Sequence, residues 1–302
     1  MSSVSVVVPT MDRPELLRRC VQSVLRGERS PDRLVICDQS RDTSTEQFAQ
    51  ELARDYQLIE YVRMERPHAS QARNAGFYVS STTLVAFIDD DCIAGSRWLS
   101  ALVGRYETAS NLEKVSAVCG SVLPIRNHDS SGKVPVSSRT SSRLRFFRRD
   151  ATGQAFRGWA PWDAGTGGNM LSPRSALLGI GGFDDRLGPG SFAGAAEDID
   201  LLYRLSRVGT LVYEPEAPVY HPMQSRGGRL HRRISYGRGM GAMLALHMAG
   251  GDTSARDLLL LYLRHQIANS ARHGIWGLPE TALQLAGAGQ ALVKVWQETR
   301  TG

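Results

Sequence analysis

No two of the four cysteines, Cys20, Cys37, Cys92 and Cys119, form a C-x-x-C pair, so the sequence offers no thiolate zinc site. Cys20, Cys37 and Cys119 fall within apolar segments and read as small buried thiols of a reducing compartment. There is no run of 18 apolar residues, so no segment is expected to span a bilayer. The amino terminus enters an apolar run without the basic stretch and cleavage site of a leader, and no secretory signal is expected. Three catalytic signatures are missing too. Without G-x-x-x-x-G-K-[ST] a P-loop kinase or ATPase is excluded, and without G-x-G-x-x-G behind the first strand so is a dinucleotide fold of that type. Without G-x-S-x-G the nucleophile elbow of an α/β-hydrolase is excluded.

What the chain does contain is ordinary in bulk and uneven in charge. Its 302 residues are 42% hydrophobic and 22% charged, the balance of a folded globular protein. The length suits one large domain with an extension better than three domains. The formal charge is +6. Residues 126 to 157 hold Arg126, Lys133, Arg139, Arg143, Arg145, Arg148, Arg149 and Arg157 against Asp129 and Asp150, which equals the whole excess. Such a stretch serves an anionic membrane, a phosphorylated substrate or nucleic acid, or is a solvated loop. Only Phe146, Phe147 and Phe156 interleave it, too few for nucleic acid, so no nucleic-acid partner is expected.

Residues 4–8, broken only by Ser5, and 84–88 are apolar runs of the buried-strand kind, and 34–37 and 59–62 read as further short strands. Helical spacing recurs between them: Leu16, Leu17, Cys20, Val21, Val24 and Leu25 behind Pro14, then residues 45–54, then 69–79. The alternation predicts a parallel sheet with helices on both faces. A helix over 98–106 and a strand over 115–122 follow. Residues 127–152, rich in Ser, Arg and Gly, read as a long mobile loop. A short strand and helix occupy 170–178, and six glycines between Gly179 and Gly194 predict a flexible loop. Glu197 opens a helix, 211–213 and 219–221 read as two strands, and helices follow over 236–248, 257–271 and 281–297. Leu258-Leu259-Leu260-Leu261 is apolar at successive positions, which suits a core, a dimer interface or peripheral membrane contact.

Chemistry concentrates at the fourth strand, Leu84-Val85-Ala86-Phe87-Ile88, which ends in Asp89-Asp90-Asp91. Open α/β sheets place their ligand crevice at the carboxyl ends of the strands. Three like charges there repel unless a cation offsets them, and carboxylates are the hard ligands that Mg²⁺ and Mn²⁺ take. Aspartate is equally common at turns and helix starts. Glu197-Asp198 are either helix-start carboxylates favoured by the dipole or a general base behind a glycine-rich loop. His221 is either structural or a nitrogen ligand.

Taken in order, these segments resemble the inverting glycosyltransferases of family 2, which have the GT-A fold, over Val4 to about Met240. Val-Ser-Val-Val-Val-Pro-Thr followed by Arg13 is similar to the family's opening strand and nucleotide loop, which puts Pro9, Thr10 and Arg13 on the donor. Cys37-Asp38-Gln39-Ser40-Arg41-Asp42 resembles the Asp-Asp-Gly-Ser-Thr-Asp segment, departing at Cys37, Gln39 and Arg41, and implies that Asp38 contacts the base or ribose. Ala72-Arg73-Asn74-Ala75-Gly76 is similar to the helix whose Arg faces the nucleotide. Asp89-Asp90-Asp91 stands where the family has its D-x-D motif for the metal and donor. Gly168-Asn169-Met170, Gly181-Gly182-Phe183-Asp184 and Glu197-Asp198 resemble acceptor-side motifs. Trp162, Asn169 and Glu197 are the acceptor-side candidates, and by that likeness Asp198 is the catalytic base. His221 falls where related GT-A enzymes have a further metal ligand.

The resemblance implies an α/β protein of the GT-A fold, a mostly parallel central sheet flanked by helices, with a C-terminal helical extension. Residues 1–225 would form the catalytic domain: a nucleotide-sugar half over 1–122 and an acceptor-side half over 123–225 with its basic loop at 127–157. Residues 226–302 would be the extension. A nucleotide-diphosphate sugar, a UDP-sugar in the first instance, would donate to a hydroxyl of a glycan, a lipid-linked sugar or a small molecule. Mn²⁺ or Mg²⁺ would sit on Asp91, Asp89 and His221, with Arg226 or Arg229 assisting at the pyrophosphate. Asp198 would deprotonate the acceptor for a single inverting displacement. The protein would be cytoplasmic, with peripheral contact to the inner membrane face or homodimerisation as further options. Two alternatives stay open. One is a sugar-nucleotide nucleotidyltransferase, which usually has a glycine-rich loop where this chain has Pro9-Thr10-Met11-Asp12-Arg13. The other is a polyanion-binding protein using the basic stretch.

Overall fold

The apolar run at the amino terminus becomes the strand around which the sheet is laid. The structure, a computed structural model, describes residues 2–125, 145–147, 160–222, 226–273 and 278–301. Strand β1 (Val4–Thr10) lies parallel between β2 (Arg33–Asp38) and β4 (Leu84–Ile88), and β3 (Ile59–Arg63) extends the sheet beyond β2. Beyond β4 the pairing turns mixed. Strand β8 (Asn169–Pro173) runs antiparallel between β4 and β6 (Val115–Pro124), and β9 (Thr210–His221) returns parallel to β6. Two short strands, β5 (Ile93–Ala94) and β7 (Arg145–Phe147), add antiparallel to β9.

Alternation along the strands builds two cores. Val4, Val6, Val8, Leu34, Ile36, Leu84, Ala86 and Ile88 face one side. There they meet Leu17, Cys20, Val21 and Val24 of α1 (Pro14–Leu25), Phe48 of α2 (Ser44–Asp55) and Trp98, Leu99, Leu102 and Val103 of α4 (Trp98–Ser110). Val7, Val35, Cys37, Val85 and Phe87 face the other side, under Ala72 and Phe77 of α3 (Ala69–Val79) and Leu201, Leu202 and Leu205 of α7 (Glu197–Ser206). Each fully buried Leu, Ile or Phe contributes about 1.5–3 kcal/mol. Two short helices, α5 (Pro161–Ala164) and α6 (Arg174–Gly179), bracket β8.

Helices α8 (Arg226–Ala249), α9 (Ser254–His273) and α10 (Leu278–Thr301) form the C-terminal extension. They share a third core with Leu187, Ala193, Ala196 and Tyr203. The approach of α8 to α10 needs glycine: a Cβ on Gly237 would lie 2.0 Å from the Gln284 carbonyl oxygen, and one on Gly241 2.3 Å from that of Ala288. Of the Leu258–Leu261 run, Leu258 is buried in this core, Leu259 and Leu261 pack partly against it, and Leu260 is exposed. Among the described residues no helix is long and apolar enough to cross a membrane.

Three local expectations are revised. The two strands expected at 211–213 and 219–221 are one, β9, whose register against β6 shifts between Gly120 and Val122. Pro215 and Pro218 lack the N–H a regular ladder needs, and the shift absorbs them. The expected loop at 127–152 contributes strand β7, and its other residues lie outside the described ones. The glycine-rich stretch 179–194 is a wound turn tied to α3. The Ser70 hydroxyl donates to the Leu187 carbonyl (2.7 Å), and the Ala69 amide donates to Pro189 (2.9 Å).

Candidate active site

Asp89, Asp90 and Asp91 leave the end of β4 beside the loop that follows β1, and each takes a different partner. Asp90 turns inward. The Thr10 hydroxyl donates to it at 2.8 Å, and Arg13 lies at 3.4 Å. Burial, opposed by Thr10 and Arg13, raises its pKa to about 6. Asp91 faces outward, 3.4 Å from His221 Nε2 at the end of β9 and 3.5 Å from Arg13. Burial and the neighbouring Asp89 raise its pKa. Asp89 accepts from Arg73 Nη2 at 2.7 Å.

Arg73 links this edge to α7. It is buried on α3, and its Nη1 pairs with Glu197 at 3.2 Å. Burial works against its charge, but Asp89 and Glu197 outweigh it and hold the guanidinium protonated. Its Nε has no hydrogen-bond partner among the described residues. Helix α7 begins behind Ala196, held at φ 72, a left-handed conformation that costs a non-glycine residue about 1–2 kcal/mol. Such strain clusters where geometry matters to function. It delivers Glu197 and Asp198 side by side into the first turn. Asp198 accepts from the Gly167 amide at 3.2 Å and the Ile199 amide at 2.8 Å. Burial raises the pKa of both acids, with the Arg73 charge opposing it in each case.

The Gly165-Thr166-Gly167-Gly168 turn passes between these acids. A Cβ on Gly168 would lie 2.2 Å from Asp89 Oδ2, and one on Gly167 2.9 Å from the Asp198 Cβ. Glycine is needed at both positions because the backbone itself fills the gap between two carboxylates.

Asp89, Asp91, Arg73, Glu197, Asp198 and His221 all line one cleft of about 1050 Å³, together with Pro9, Thr10, Arg13 and Trp162. Within it the ligating atoms of Asp91, Cys92 and His221 lie within 4.8 Å of one another. Burial and the surrounding acids push the Cys92 thiol up, and its soft sulfur suits the hard cations Mn²⁺ and Mg²⁺ less than carboxylate oxygen does. His221 Nδ1 lies 2.6 Å from the Pro222 carbonyl. A proton there leaves the Nε2 lone pair facing Asp91, the arrangement of a ligating histidine. One carboxylate and one imidazole with open positions fit a divalent cation such as Mn²⁺ or Mg²⁺.

Other expected residues sit elsewhere. Asp38 is fully buried and occupied by the Tyr61 hydroxyl (2.8 Å), Arg63 (2.9 Å) and the Ser40 amide (2.8 Å). Its neighbour Gln39 lines the cleft instead. Asn169 is also fully buried. Its amide donates to the Ser121 and Ala217 carbonyls and its oxygen accepts from Trp98 Nε1 at 2.8 Å. It stitches β6, β8, β9 and α4 together and does not face the cleft. The side chains of Arg226 and Arg229 lie outside the described residues, as does most of the basic stretch. Sequence reasoning did not find the cleft-lining Tyr262, Gln266 and Gln284, because nothing in a helical pattern says which polar residue faces a neighbouring domain.

A family model described as glycosyl transferase family 2 matches residues 5–156. The pre-mycofactocin glycosyltransferase of Mycobacterium tuberculosis is 29% identical over 250 residues, covering 80% of this chain and 47% of the relative. The chain thus spans about half of that protein's length. The succinoglycan biosynthesis protein ExoM of Rhizobium meliloti is 27% identical over 261 residues, covering 80% of this chain and 75% of the relative. Among solved structures, Staphylococcus aureus TarS 1-349 superposes with a TM-score of 0.63 at 14% identity, over 96% of this chain and 81% of that one. The mannosyltransferase PcManGT from Pyrobaculum calidifontis, in complex with GDP-Man and Mn²⁺, gives 0.62 at 19% identity, over 96% and 76%. The fold is therefore GT-A.

Proposed function

The chain belongs to glycosyl transferase family 2, and from that premise we propose that it moves a sugar from a nucleotide-diphosphate sugar to an acceptor hydroxyl in one inverting displacement. The observation that carries the proposal is the convergence of Asp198, Arg73, Asp91 and His221 on one cleft. Asp198 takes the acceptor's proton while the acceptor oxygen attacks the anomeric carbon. The bond from that carbon to the diphosphate breaks on the opposite face, and the nucleoside diphosphate leaves with the bonding electrons. A base works best when its pKa approaches the operating pH, and burial moves Asp198 in that direction.

Arg73 holds Asp89 and Glu197 in place. A divalent cation on Asp91 and His221, with Asp89 beside them, would neutralise the charge of the departing diphosphate. Pro9, Thr10, Arg13 and Gln39 form the nucleotide side, and Asp38 serves it by holding Ser40. Solved proteins of this fold carry UDP-GlcNAc, in TarS, or GDP-Man with Mn²⁺, in PcManGT, and a UDP-sugar is the first donor to try. Residues 1–122 supply the donor half and 123–225 the acceptor-side half, with 226–302 as the extension.

The test is Asp198→Asn against a panel of UDP- and GDP-sugars with Mn²⁺, reading nucleoside diphosphate release and nucleotide affinity separately. Loss of turnover by about 10²–10⁴-fold with affinity unchanged is expected. Turnover near wild type would make Asp198 a helix-start residue only, and release of pyrophosphate would point to nucleotidyl transfer.

A further inference from the structure

The wall of the cleft contributed by the C-terminal helices carries polar atoms that the fold itself does not use. Tyr262 and Gln266 stand one turn apart on α9, 3% and 4% exposed, and both line the cleft. Among the described residues, the Tyr262 hydroxyl and Gln266 Oε1 have no hydrogen-bond partner, and neither does the buried Thr281 hydroxyl on α10. Thr281 stands three residues before Gln284, which also lines the cleft. Buried polar atoms are nearly always paired, and orphans point to a ligand or a bound water. Trp162 of α5 packs against Tyr262 and His265, ring centroids 6.0 and 5.9 Å away. The turn that follows α5 donates the Gly167 amide to Asp198, so one short segment delivers both the aromatic ring and the proposed base.

We infer that Trp162, Tyr262 and Gln266 form the acceptor subsite and that it takes a neutral hydroxylated molecule, a glycoside or polyol. An aromatic ring offers a flat apolar face for a sugar ring. A carboxamide oxygen accepts hydrogen bonds only, so it pairs with a hydroxyl and not with an ionised phosphate or carboxylate oxygen; Arg232 and Arg233 line the same cleft and are the cations that the phosphate probes test. The Tyr262 hydroxyl can donate or accept. Acceptor choice thus resides in the C-terminal helices, outside the segment 5–156 matched by the family model. The word acceptor rests on the transfer reading above, while the binding site does not.

The experiment uses the full chain and named probes: p-nitrophenyl β-D-glucopyranoside, methyl β-D-glucopyranoside and myo-inositol, against inorganic phosphate and glucose 1-phosphate. Binding is followed by saturation-transfer NMR and calorimetry, with UDP titrated in parallel. At least one neutral probe should bind wild type. Tyr262→Phe and Gln266→Leu should weaken it tenfold or more, Gln266→Glu should keep it, and all three should hold UDP within twofold of wild type. Without any probe, Tyr262→Phe should raise Tm by about 2–4 °C, because it removes an unpaired buried hydroxyl. A fall in Tm means the hydroxyl has a structural partner and overturns the inference. So does the absence of any bound neutral probe, equal binding in the variants, or a preference for the phosphates. Loss of sugar transfer in a protein that still binds glycosides through these residues would sink the transfer reading alone.

Discussion

Replacing Arg73 with methionine keeps the length of a buried side chain and removes its charge. The native guanidinium is 6% exposed and pairs with both Asp89 and Glu197. Its loss strands Glu197, itself buried, without its cation. Breaking a buried pair from one side costs about 3–5 kcal/mol, and a chain of this size loses roughly 2 °C of Tm per kcal/mol. A fall of about 6–10 °C follows at pH 8. The sign of the pH dependence comes from the protons bound. Burial and then the Asp198 charge raise the Glu197 pKa, and Arg73 opposes them, so removing Arg73 raises it further. The folded state then keeps a proton that the unfolded chain releases above about pH 4.3. Where the folded state binds more protons, stability falls as pH rises through the window between the unfolded and folded pKa values. The penalty is therefore small at pH 5, where Glu197 holds its proton, and grows as pH rises through about 7 and above. Urea unfolding at the two pH values measures it. Adding Glu197→Gln, which carries no charge, should recover most of the loss at pH 8. An equal loss at both pH values, or no recovery in the double variant, refutes the account of Arg73 as the cation that opposes the rise in the Glu197 pKa.

Gly168→Ala drives a Cβ to 2.2 Å from Asp89 Oδ2. It should weaken UDP–Mn²⁺ binding about tenfold, near 1.4 kcal/mol, by calorimetry, and unchanged affinity would mean that the turn gives way freely. Cys92→Ser should leave any Mn²⁺-induced rise in Tm intact while His221→Ala abolishes it, since a thiol is a soft ligand for a hard cation. A rise lost in Cys92→Ser makes the thiol a ligand. Ala196→Gly should be neutral or slightly stabilising, whereas Ala196→Val should lose about 2 kcal/mol or more, because a β-branched residue is strained at φ 72. Equal stabilities of the two variants in thermal melts would show that α7 starts without strain.

The parallel half of the sheet was legible because its central strands are buried on both faces and so read as nearly unbroken apolar runs bounded by helical spacing. Val4 to Val8 and Leu84 to Ile88 are fully buried. The second half was less so. Pro215 and Pro218 look like a break in the pattern, and only the partner strand β6 shows that they sit in a register shift of one strand. The acids were legible as a cluster, since the end of a buried strand is a poor place for three like charges. Their partners were not. Arg73 lies 16 residues before Asp89 and 124 before Glu197, and no local spacing links the three. Asp38 and Asn169 show the opposite failure. A family pattern marks where polar residues stand, and both turned out to be buried and fully hydrogen-bonded, holding the backbone that carries the cleft.

Five carboxylates, from Asp89 to Asp91 and at Glu197 and Asp198, meet at this edge of the sheet, and sequence gives no reason to treat them differently. Their partners divide the work. Asp90 is tied to Thr10 and Arg13, and Asp89 and Glu197 share Arg73. Asp89 and Glu197 thus share one buried cation, while Asp90 is held by a hydroxyl and an exposed arginine and stays raised by burial. Asp91 has His221, with an exposed Arg13 at the edge of ion-pair distance, and Asp198 has two backbone amides. A carboxylate beside an imidazole attracts a cation. Burial outweighs the amides and the Arg73 charge at Asp198 and keeps its capacity to take a proton. The two acids with charge to spare are therefore suited to the two tasks that sugar transfer sets, anchoring the diphosphate and deprotonating the acceptor. Arg73 makes the division possible because it neutralises the acids that would otherwise compete with both.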